Sequence, residues 1–170
     1  MPNVATSVTL KGKPLTLVGA DVEIGKSAPD ATLIANDLSE FKLSSLKGKK
    51  VILSVVPSLD TPVCDIQTKR FNQEAGQLSA DAKILTISVD LPFAQKRWCG
   101  AAGATNVQTL SDYRNREFGQ KYGVLIKELQ ILARSIFVVD ANGVLRYKQI
   151  VPEVAQEPNY QEALDALKKI

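Results

Sequence analysis

Residues 51–66 read VILSVVPSLDTPVCDI, and this stretch decides the fold. The run Val51–Val56 is apolar, which is typical of a strand buried on both faces at the centre of a sheet. After a short loop a helical pattern begins at Asp65, and residues 83–89 (KILTISV) return as a second apolar strand. A strand, a helix and a second strand in this order predict a parallel βαβ unit.

Cys64 stands immediately before the predicted helix. Backbone N–H groups of a first helical turn and the positive end of the helix dipole favour a thiolate, which is the nucleophilic form of cysteine. The usual alternative for a free cysteine is an inert thiol buried in the core. Polar neighbours at Asp60, Thr61 and Asp65 make that alternative less expected here, so we predict a reactive thiol.

The chain contains no histidine and only two cysteines, Cys64 and Cys99. The lack of histidine excludes a Cys-His dyad, a Ser-His-Asp triad and any histidine-ligated metal site. Two cysteines this far apart form neither a four-cysteine zinc site nor a Cys-x-x-Cys motif. The sequence therefore predicts no metal and no cofactor, and it leaves a helix end, a hydroxyl and a guanidinium to activate Cys64.

The rest of the chain continues to alternate strands and helices. Period-2 patterning predicts hairpins at residues 7–10 with 14–17, 31–34 with 40–43, and 135–139 with 144–150. Helical spacing predicts helices at residues 65–78, 93–102, 114–122 and 160–170. These elements indicate an α/β sandwich, and no repeat or low-complexity linker divides it, so we predict a single domain over residues 1–170.

Composition limits the possible partners. With 170 residues, of which 45% are hydrophobic, the chain buries roughly 70% of its unfolded surface and needs no disulfide bonds to fold. The net charge of +3 comes from 21 basic and 18 acidic residues spread along the sequence, which does not indicate nucleic acid. The densest basic cluster, Lys47, Lys49 and Lys50, fits a solvated strand entry better than a phosphate-binding patch.

Neither a membrane span nor an export signal is indicated. No apolar run approaches transmembrane length, and residues 1–7 lack the basic and apolar regions of a signal peptide. We therefore predict a cytoplasmic protein that does not enter a membrane, in a compartment where both thiols stay reduced.

Residues 19–27 (GADVEIGKS) imitate a phosphate-binding loop. Five residues separate the two glycines, whereas that motif has four, and Pro29 opposes the helix that should follow. Nucleotide binding is not predicted.

The spacing from Pro57 through Thr61 to Cys64, Pro-x-x-x-Thr-x-x-Cys, resembles the peroxidatic-cysteine motif of peroxiredoxins. Three further stretches are similar to the thiol peroxidases of the Tpx type within that family. Residues 8–19 (VTLKGKPLTLVG) resemble its N-terminal hairpin, residues 97–100 (RWCG) its resolving-cysteine segment, and residues 133–135 (ARS) its active-site arginine. The resemblance covers nearly the whole chain and implies a thioredoxin-like fold with an N-terminal β-hairpin extension over residues 1–20.

The resemblance also implies a role for each site residue. Cys64 is then the peroxidatic cysteine, and Thr61 supplies a hydroxyl that hydrogen-bonds the thiolate and the peroxide. Pro57 limits solvent access to the sulfur, and Arg134 steadies the thiolate and the bound peroxide. The residues alone leave Arg134 open to a simpler interpretation as a surface ion-pair partner.

Cys99 is the resolving cysteine by resemblance. From the residues alone it can equally belong to an apolar helix face beside Trp98. A Cys64–Cys99 disulfide needs Cα atoms within roughly 7 Å, although the two cysteines lie on different predicted helices. We therefore expect local unravelling between the reduced and oxidised forms.

The activity implied is the reduction of hydrogen peroxide and organic hydroperoxides. A sulfenic acid forms on Cys64, Cys99 converts it into an intrachain disulfide, and thioredoxin recycles the enzyme. Two alternatives stay open: a peroxide-responsive thiol sensor that signals to a partner, and a binding domain stapled by a stable disulfide.

Two surfaces follow from the same resemblance. A homodimer is implied, with a candidate contact surface at Tyr113, Phe118 and Tyr122. A candidate apolar border for the alkyl tail of an organic hydroperoxide is formed by Leu59, Val63, Phe93 and Trp98.

Overall fold

Ten strands and four helices make up the computed structural model, which describes residues 7–170. In chain order the strands are β1 (Ser7–Leu10), β2 (Lys13–Val18), β3 (Thr32–Ile34), β4 (Glu40–Lys42), β5 (Lys50–Val55), β6 (Ala82–Ser88), β7 (Gln108–Ser111), β8 (Leu125–Ile126), β9 (Ser135–Val139) and β10 (Leu145–Ile150). The helices are α1 (Pro62–Ala75), α2 (Pro92–Ala102), α3 (Glu117–Lys121) and α4 (Tyr160–Lys168).

Seven strands form the main sheet in the order β10-β9-β5-β6-β7-β3-β4. Strand β5 lies inside it, parallel to β6 and antiparallel to β9. Because β5, α1 and β6 form a parallel crossover, the predicted βαβ unit is confirmed. Strand β7 extends the parallel part of the sheet, and sequence patterning missed it because its four residues, Gln-Thr-Leu-Ser, carry little apolar signal.

Two apolar clusters cover the two faces of the main sheet. On one face Ile52, Ile84 and Ile136 pack beneath α1, α2 and α4. On the other face Leu53 and Leu85 belong to a larger cluster that includes α3 and the small sheet. Alternating residues of β5 therefore face opposite clusters, as expected for a strand buried on both sides.

A separate three-stranded sheet has the order β1-β2-β8. The predicted hairpin of β1 and β2 is confirmed, with Val8 opposite Leu15, and β8 completes the sheet against β2. Glu153 fixes the hairpin to the main body by accepting hydrogen bonds from the Thr9 hydroxyl and the Lys11 N–H. Residues 1–6 lie outside the described residues, so the bounds 1–170 for the domain and 1–20 for the extension stay predictions.

All four predicted helices have somewhat different bounds in the structure, and the differences are largest at α1 and α3. Helix α1 begins at Pro62 and not at Asp65, because proline suits the first helical position and Thr61 is the N-cap. Helix α3 spans only five residues, because Arg116 at its N-cap adopts a left-handed conformation with φ 48°. The shift of α1 matters for the site, since it places Cys64 inside the first turn.

The candidate dimer surface is wrong in two of its three residues. Phe118 and Tyr122 are 0% and 2% exposed, and their rings stack at 4.2 Å between centroids within the core. An aromatic pair four residues apart on a helix marks an apolar face without showing what covers that face. In this fold Phe137 covers it, with its ring centroid 5.0 Å from that of Tyr122.

Local structure accounts for the basic cluster at residues 47–50 and for residues 19–27, which resemble a phosphate-binding loop. Lys49 donates to the carbonyl of Ala80, and Lys50 lies 3.8 Å from the carboxylate of Asp81, as expected for a solvated strand entry. Residues 19–27 lead through turns towards β3, and no helix follows them. None of the helices in residues 7–170 is both long and apolar enough to cross a membrane.

Candidate active site

Cys64 is the third residue of α1 and is 0% exposed. Its position in the first turn places the sulfur near the positive end of the helix dipole. The side chain packs in the apolar cluster that also contains Leu59, Phe71 and Trp98. The thiol is therefore as buried as an inert core cysteine, and its polar contacts decide what it can do.

Arg134 supplies the polar contact to this sulfur. The residue precedes β9, is 2% exposed, and places its Nη2 atom 3.2 Å from the Sγ atom of Cys64. Its Nε–H donates to the carbonyl of Val154 at 2.9 Å, and its Nη1–H donates to Oε1 of Gln67 at 2.9 Å. The guanidinium is thus held in one orientation by two neutral oxygens, with its third donor aimed at the sulfur.

Gln67 connects this contact to the sheet. It lies one turn after Cys64 on α1, is fully buried, and donates from Nε2 to the hydroxyl of Ser54 in β5 at 2.8 Å. Gln67 carries no motif that marks it as a site residue. Its position three residues after Cys64 on a predicted helix was the available signal, because residues at that spacing share a helix face.

The guanidinium of Arg134 is a buried positive charge. Within residues 7–170, the eight salt bridges of the structure leave Arg134 without a carboxylate partner. A buried cation without a counter-ion is costly, since the interior solvates charge poorly. A thiolate on Cys64 would supply the missing negative charge at hydrogen-bond distance.

Asp90 anchors the loop that leads into α1. Its carboxylate accepts hydrogen bonds from the Ser58 hydroxyl at 2.7 Å and from the Leu59 N–H at 2.8 Å. The Ser88 hydroxyl donates to the same carboxylate at 2.6 Å. The loop that leads into α1 is therefore tied to the end of β6, and the sequence did not indicate this contact because it joins residues far apart in the chain.

Pro57 and Thr61 belong to this loop but take different positions. Pro57 is buried, in keeping with a shielding role, whereas Thr61 is exposed. The Thr61 hydroxyl donates to the carbonyl of Ser58 at 2.9 Å, and no hydrogen bond from it to Cys64 is present among the described residues. In this state the expected contact between the hydroxyl and the sulfur is not made.

Cys99 lies in the last turn of α2. Its thiol is free, and so is that of Cys64. Its Sγ atom is 3.5 Å from the hydroxyl of Thr109 in β7. Arg134, which contacts Cys64, adjoins β9, and β9 is separated from β7 by β5 and β6. Cys99 therefore contacts a strand three positions away in the sheet from the one that Arg134 adjoins.

Helices α1 and α2 nevertheless touch each other. The indole N–H of Trp98 donates to the carboxylate of Asp65 at 2.9 Å, and Arg97 lies 3.6 Å from the carboxylate of Asp60. A rearrangement that brings Cys99 to Cys64 therefore has to break contacts that Trp98 and Arg97 make beside it.

The candidate border for an alkyl tail is only partly available. Leu59 and Trp98 are 2% and 8% exposed, and both pack in the cluster around Cys64. Phe93 is 65% exposed at the start of α2, and Val63 is half-buried. An alkyl group approaching from solvent would therefore meet Phe93 and Val63 before the other two.

Together these contacts define a class of protein. A cysteine in a first helical turn, beneath an arginine held by neutral acceptors, is a site for thiol redox chemistry. Within the described range, no group of three or more Cys, Asp or Glu side chains is arranged to hold a metal ion.

The comparisons with known proteins assign the class to a family. Residues 23–164 match the redoxin family. The thiol peroxidase of Bacillus subtilis is 53% identical over 163 residues, covering 96% of this chain and 97% of that protein. The thiol peroxidase of Oceanobacillus iheyensis is 55% identical over 164 residues, covering 96% and 99%. The chain belongs to the redoxin family and, within it, to the thiol peroxidases.

Solved structures agree with this placement. A peroxiredoxin-like protein from Aquifex aeolicus superposes with a TM-score of 0.91 at 43% identity, and 97% of each chain is covered. The thiol peroxidase from Chromobacterium violaceum shares the fold with a TM-score of 0.86 at 21% identity, covering 98% of this chain and 97% of that one. The predicted thioredoxin-like peroxiredoxin fold and the resemblance to thiol peroxidases are confirmed.

Proposed function

We propose that this protein reduces hydroperoxides with Cys64 as the attacking thiolate. The observation that carries the proposal is the 3.2 Å contact between Cys64 and Arg134, whose other two acceptors are neutral. The thiolate attacks the terminal oxygen of the hydroperoxide, and a sulfur–oxygen bond forms as the O–O bond breaks. The leaving alkoxide or hydroxide takes a proton, which gives an alcohol or water and a sulfenic acid on Cys64.

Cys99 then resolves the sulfenic acid in this proposal. Its sulfur attacks the Cys64 sulfur, a disulfide forms, and the hydroxyl group leaves as water with the thiol proton. Because Cys99 contacts Thr109 on β7 and Cys64 contacts Arg134 beside β9, we expect the end of α2, the start of α1, or both to unravel first. A thioredoxin-type dithiol reduces the disulfide and completes the cycle.

Replacement of each cysteine tests the scheme. Cys64→Ser abolishes peroxide consumption, because a serine hydroxyl stays protonated near neutral pH and has no base beside it. Cys99→Ser still reduces one equivalent of peroxide but does not cycle with thioredoxin. Retained turnover in Cys64→Ser would overturn the proposal, and normal cycling by Cys99→Ser would remove Cys99 from the resolving role.

Turnover also separates the proposal from its alternatives. A redox sensor oxidises once and waits, whereas a peroxidase consumes hydroperoxide continuously while thioredoxin and its reductase are supplied. A binding domain held by a stable disulfide would have a Cys64–Cys99 bond that resists mild reduction. The free thiols of both cysteines do not support this alternative.

Substrate preference, assembly and location complete the proposal. An alkyl tail resting on Val63 and Phe93 gains up to about 0.8 kcal/mol per buried methylene, so cumene hydroperoxide should react faster with Cys64 than hydrogen peroxide. Equal rate constants for the two hydroperoxides in stopped-flow measurements would show that the alkyl tail gains nothing from this apolar contact. We also propose a cytoplasmic homodimer, through the exposed apolar residues Ile66 on α1 and Leu91 at the start of α2. Sedimentation of reduced protein tests it, since a monomer would remove this interface.

A further inference from the structure

Thr109 lies between the Cys99 thiol and the side chain of Asn36. Its Oγ1 atom is 3.5 Å from the Sγ atom of Cys99, and its hydroxyl donates to Oδ1 of Asn36 at 3.0 Å. A hydroxyl has a single hydrogen. With that hydrogen given to Asn36, the contact with Thr109 requires a hydrogen from Cys99, which only the protonated thiol carries.

The three residues of this chain come from three separate elements. Cys99 lies on α2, Thr109 on β7, and Asn36 in the turn between β3 and β4. Thr109 is 2% exposed, whereas Cys99 and Asn36 border an open groove between the end of α2 and that turn. The Cys99 carbonyl also accepts the N–H of Ala104, which closes the end of α2. The thiol therefore reaches solvent, but its hydrogen bond ties the last turn of α2 to the sheet.

We propose that Thr109 and Asn36 form a latch that holds Cys99 protonated and apart from Cys64 until a sulfenic acid has formed. The inference rests on the proposed function, in which Cys99 resolves that sulfenic acid. For the disulfide to form, the Cys99 sulfur must leave Thr109 and give up its proton to the departing hydroxyl. The latch thereby slows resolution, and it lengthens the time in which a second hydroperoxide can oxidise Cys64 to a sulfinic acid.

Thr86 provides a matched control. It lies opposite Thr109 in the β6–β7 pairing and is fully buried, and its hydroxyl oxygen has no hydrogen-bond partner among the described residues. Thr86→Val removes the same chemical group from the same region of the sheet without touching Cys99. Thr109→Val removes the latch, and Thr109→Ser keeps the hydroxyl.

The first measurement is the alkylation of Cys99 by iodoacetamide in the reduced protein, followed at each cysteine by mass spectrometry. Loss of one neutral hydrogen bond should make Cys99 in Thr109→Val react about threefold to tenfold faster. Thr86→Val and Thr109→Ser should react at the wild-type rate. This measurement does not depend on peroxidase activity.

The second measurement is the rate of disulfide formation after one equivalent of hydrogen peroxide. Thr109→Val should form the disulfide faster by a similar factor and accumulate less sulfinic acid, while the initial reaction of Cys64 with peroxide stays unchanged. Unchanged alkylation, or faster alkylation with an unchanged rate of disulfide formation, would overturn the latch. If wild-type protein forms no disulfide with peroxide, the proposed function fails, and alkylation alone then decides whether Thr109 holds the thiol.

If Thr109→Val does not fold, Asn36 gives a second test. Asn36 lies in a turn, where a substitution is better tolerated than at the buried Thr109. Asn36→Ala frees the Thr109 hydroxyl to donate to a Cys99 thiolate, so alkylation should again be faster. Asn36→Asp keeps an oxygen acceptor and should stay slow. Equal alkylation rates in these two variants would overturn the latch.

Discussion

The Nη2 atom of Arg134 lies 3.2 Å from the Sγ atom of Cys64, and solvent reaches neither residue to any extent. The other donors of the guanidinium contact a backbone carbonyl and an amide oxygen, which compete weakly for its charge. The contacts that hold this buried cation in place therefore also hold it against the sulfur that the proposed reaction uses.

Arg134→Lys should reduce the second-order rate constant for peroxide at Cys64 by roughly 10²-fold. A lysine keeps the charge, but it cannot hold Val154 and Gln67 while it also donates to the sulfur and the peroxide. Stopped-flow measurements on the reduced protein check this. Arg146→Lys, which alters an arginine 2.7 Å from the Asp140 carboxylate at a more exposed position, is the control and should leave the rate unchanged. Unchanged kinetics in Arg134→Lys would mean that charge alone suffices.

Gln67 should act by orienting Arg134. Gln67→Leu leaves the Nη1–H of Arg134 and the Ser54 hydroxyl without their buried partner, so unfolding free energy should fall by about 1–3 kcal/mol. The peroxide rate should fall roughly tenfold, since the guanidinium loses one of its two fixed contacts.

Gln67→Glu separates orientation from charge. The carboxylate still accepts from Arg134, but it competes with the thiolate for the guanidinium, so the peroxide rate should fall further than in Gln67→Leu while the protein stays more stable. Thermal unfolding and stopped-flow on both variants check this order. A Gln67→Glu protein that reacts at the wild-type rate would contradict the charge argument.

The sequence predicted those parts of the fold and site that depend on local pattern. The apolar run of β5, the period of the hairpins and the place of Cys64 beside a helix start are all local signals, and the structure contains each of them. The contacts of Gln67 with Ser54 and of Asp90 with Ser58 were not predictable in this way. They join side chains on different elements, and a polar residue in a helix or loop carries no sign of which distant group it will meet.

The wrong dimer surface has a related cause. Helical spacing indicated an apolar face at Phe118 and Tyr122, but the same spacing serves a core helix and an interface helix equally well. Only the position of Phe137 on β9 shows that this face is already covered.

Trp98 should report the rearrangement between the reduced and oxidised forms. It is the single tryptophan of the chain, and its indole N–H donates to Asp65 across the contact of α1 with α2. Formation of the Cys64–Cys99 disulfide should break the Trp98–Asp65 hydrogen bond and change the fluorescence of Trp98, whereas oxidation of Cys99→Ser with one equivalent of peroxide should not give this change. Identical fluorescence traces in the two proteins would show that this contact survives disulfide formation.

Asp112 should make stability depend on pH in the opposite sense to a carboxylate whose pKa is lowered on folding. Burial raises its pKa from 3.8 to about 6, although its carboxylate accepts the N–H groups of Phe118 and Gly119 at 3.0 and 2.9 Å. Because the folded pKa lies above the unfolded one, the folded state binds this proton more tightly. The resulting stability is present below about pH 4 and is lost as the pH rises through about 6.

Asp112→Asn removes this titration and leaves an oxygen that can still accept from one of the two N–H groups. The unfolding free energy of the wild type, relative to that of Asp112→Asn, should therefore fall between about pH 4 and pH 7, by up to about 3 kcal/mol. Carboxylates with a lowered pKa, such as that of Glu153 at about 2, are common to both proteins and cancel in this difference. Urea titrations at each pH unit measure it. A difference that stays constant, or that rises with pH, would show that the two N–H groups outweigh burial at Asp112.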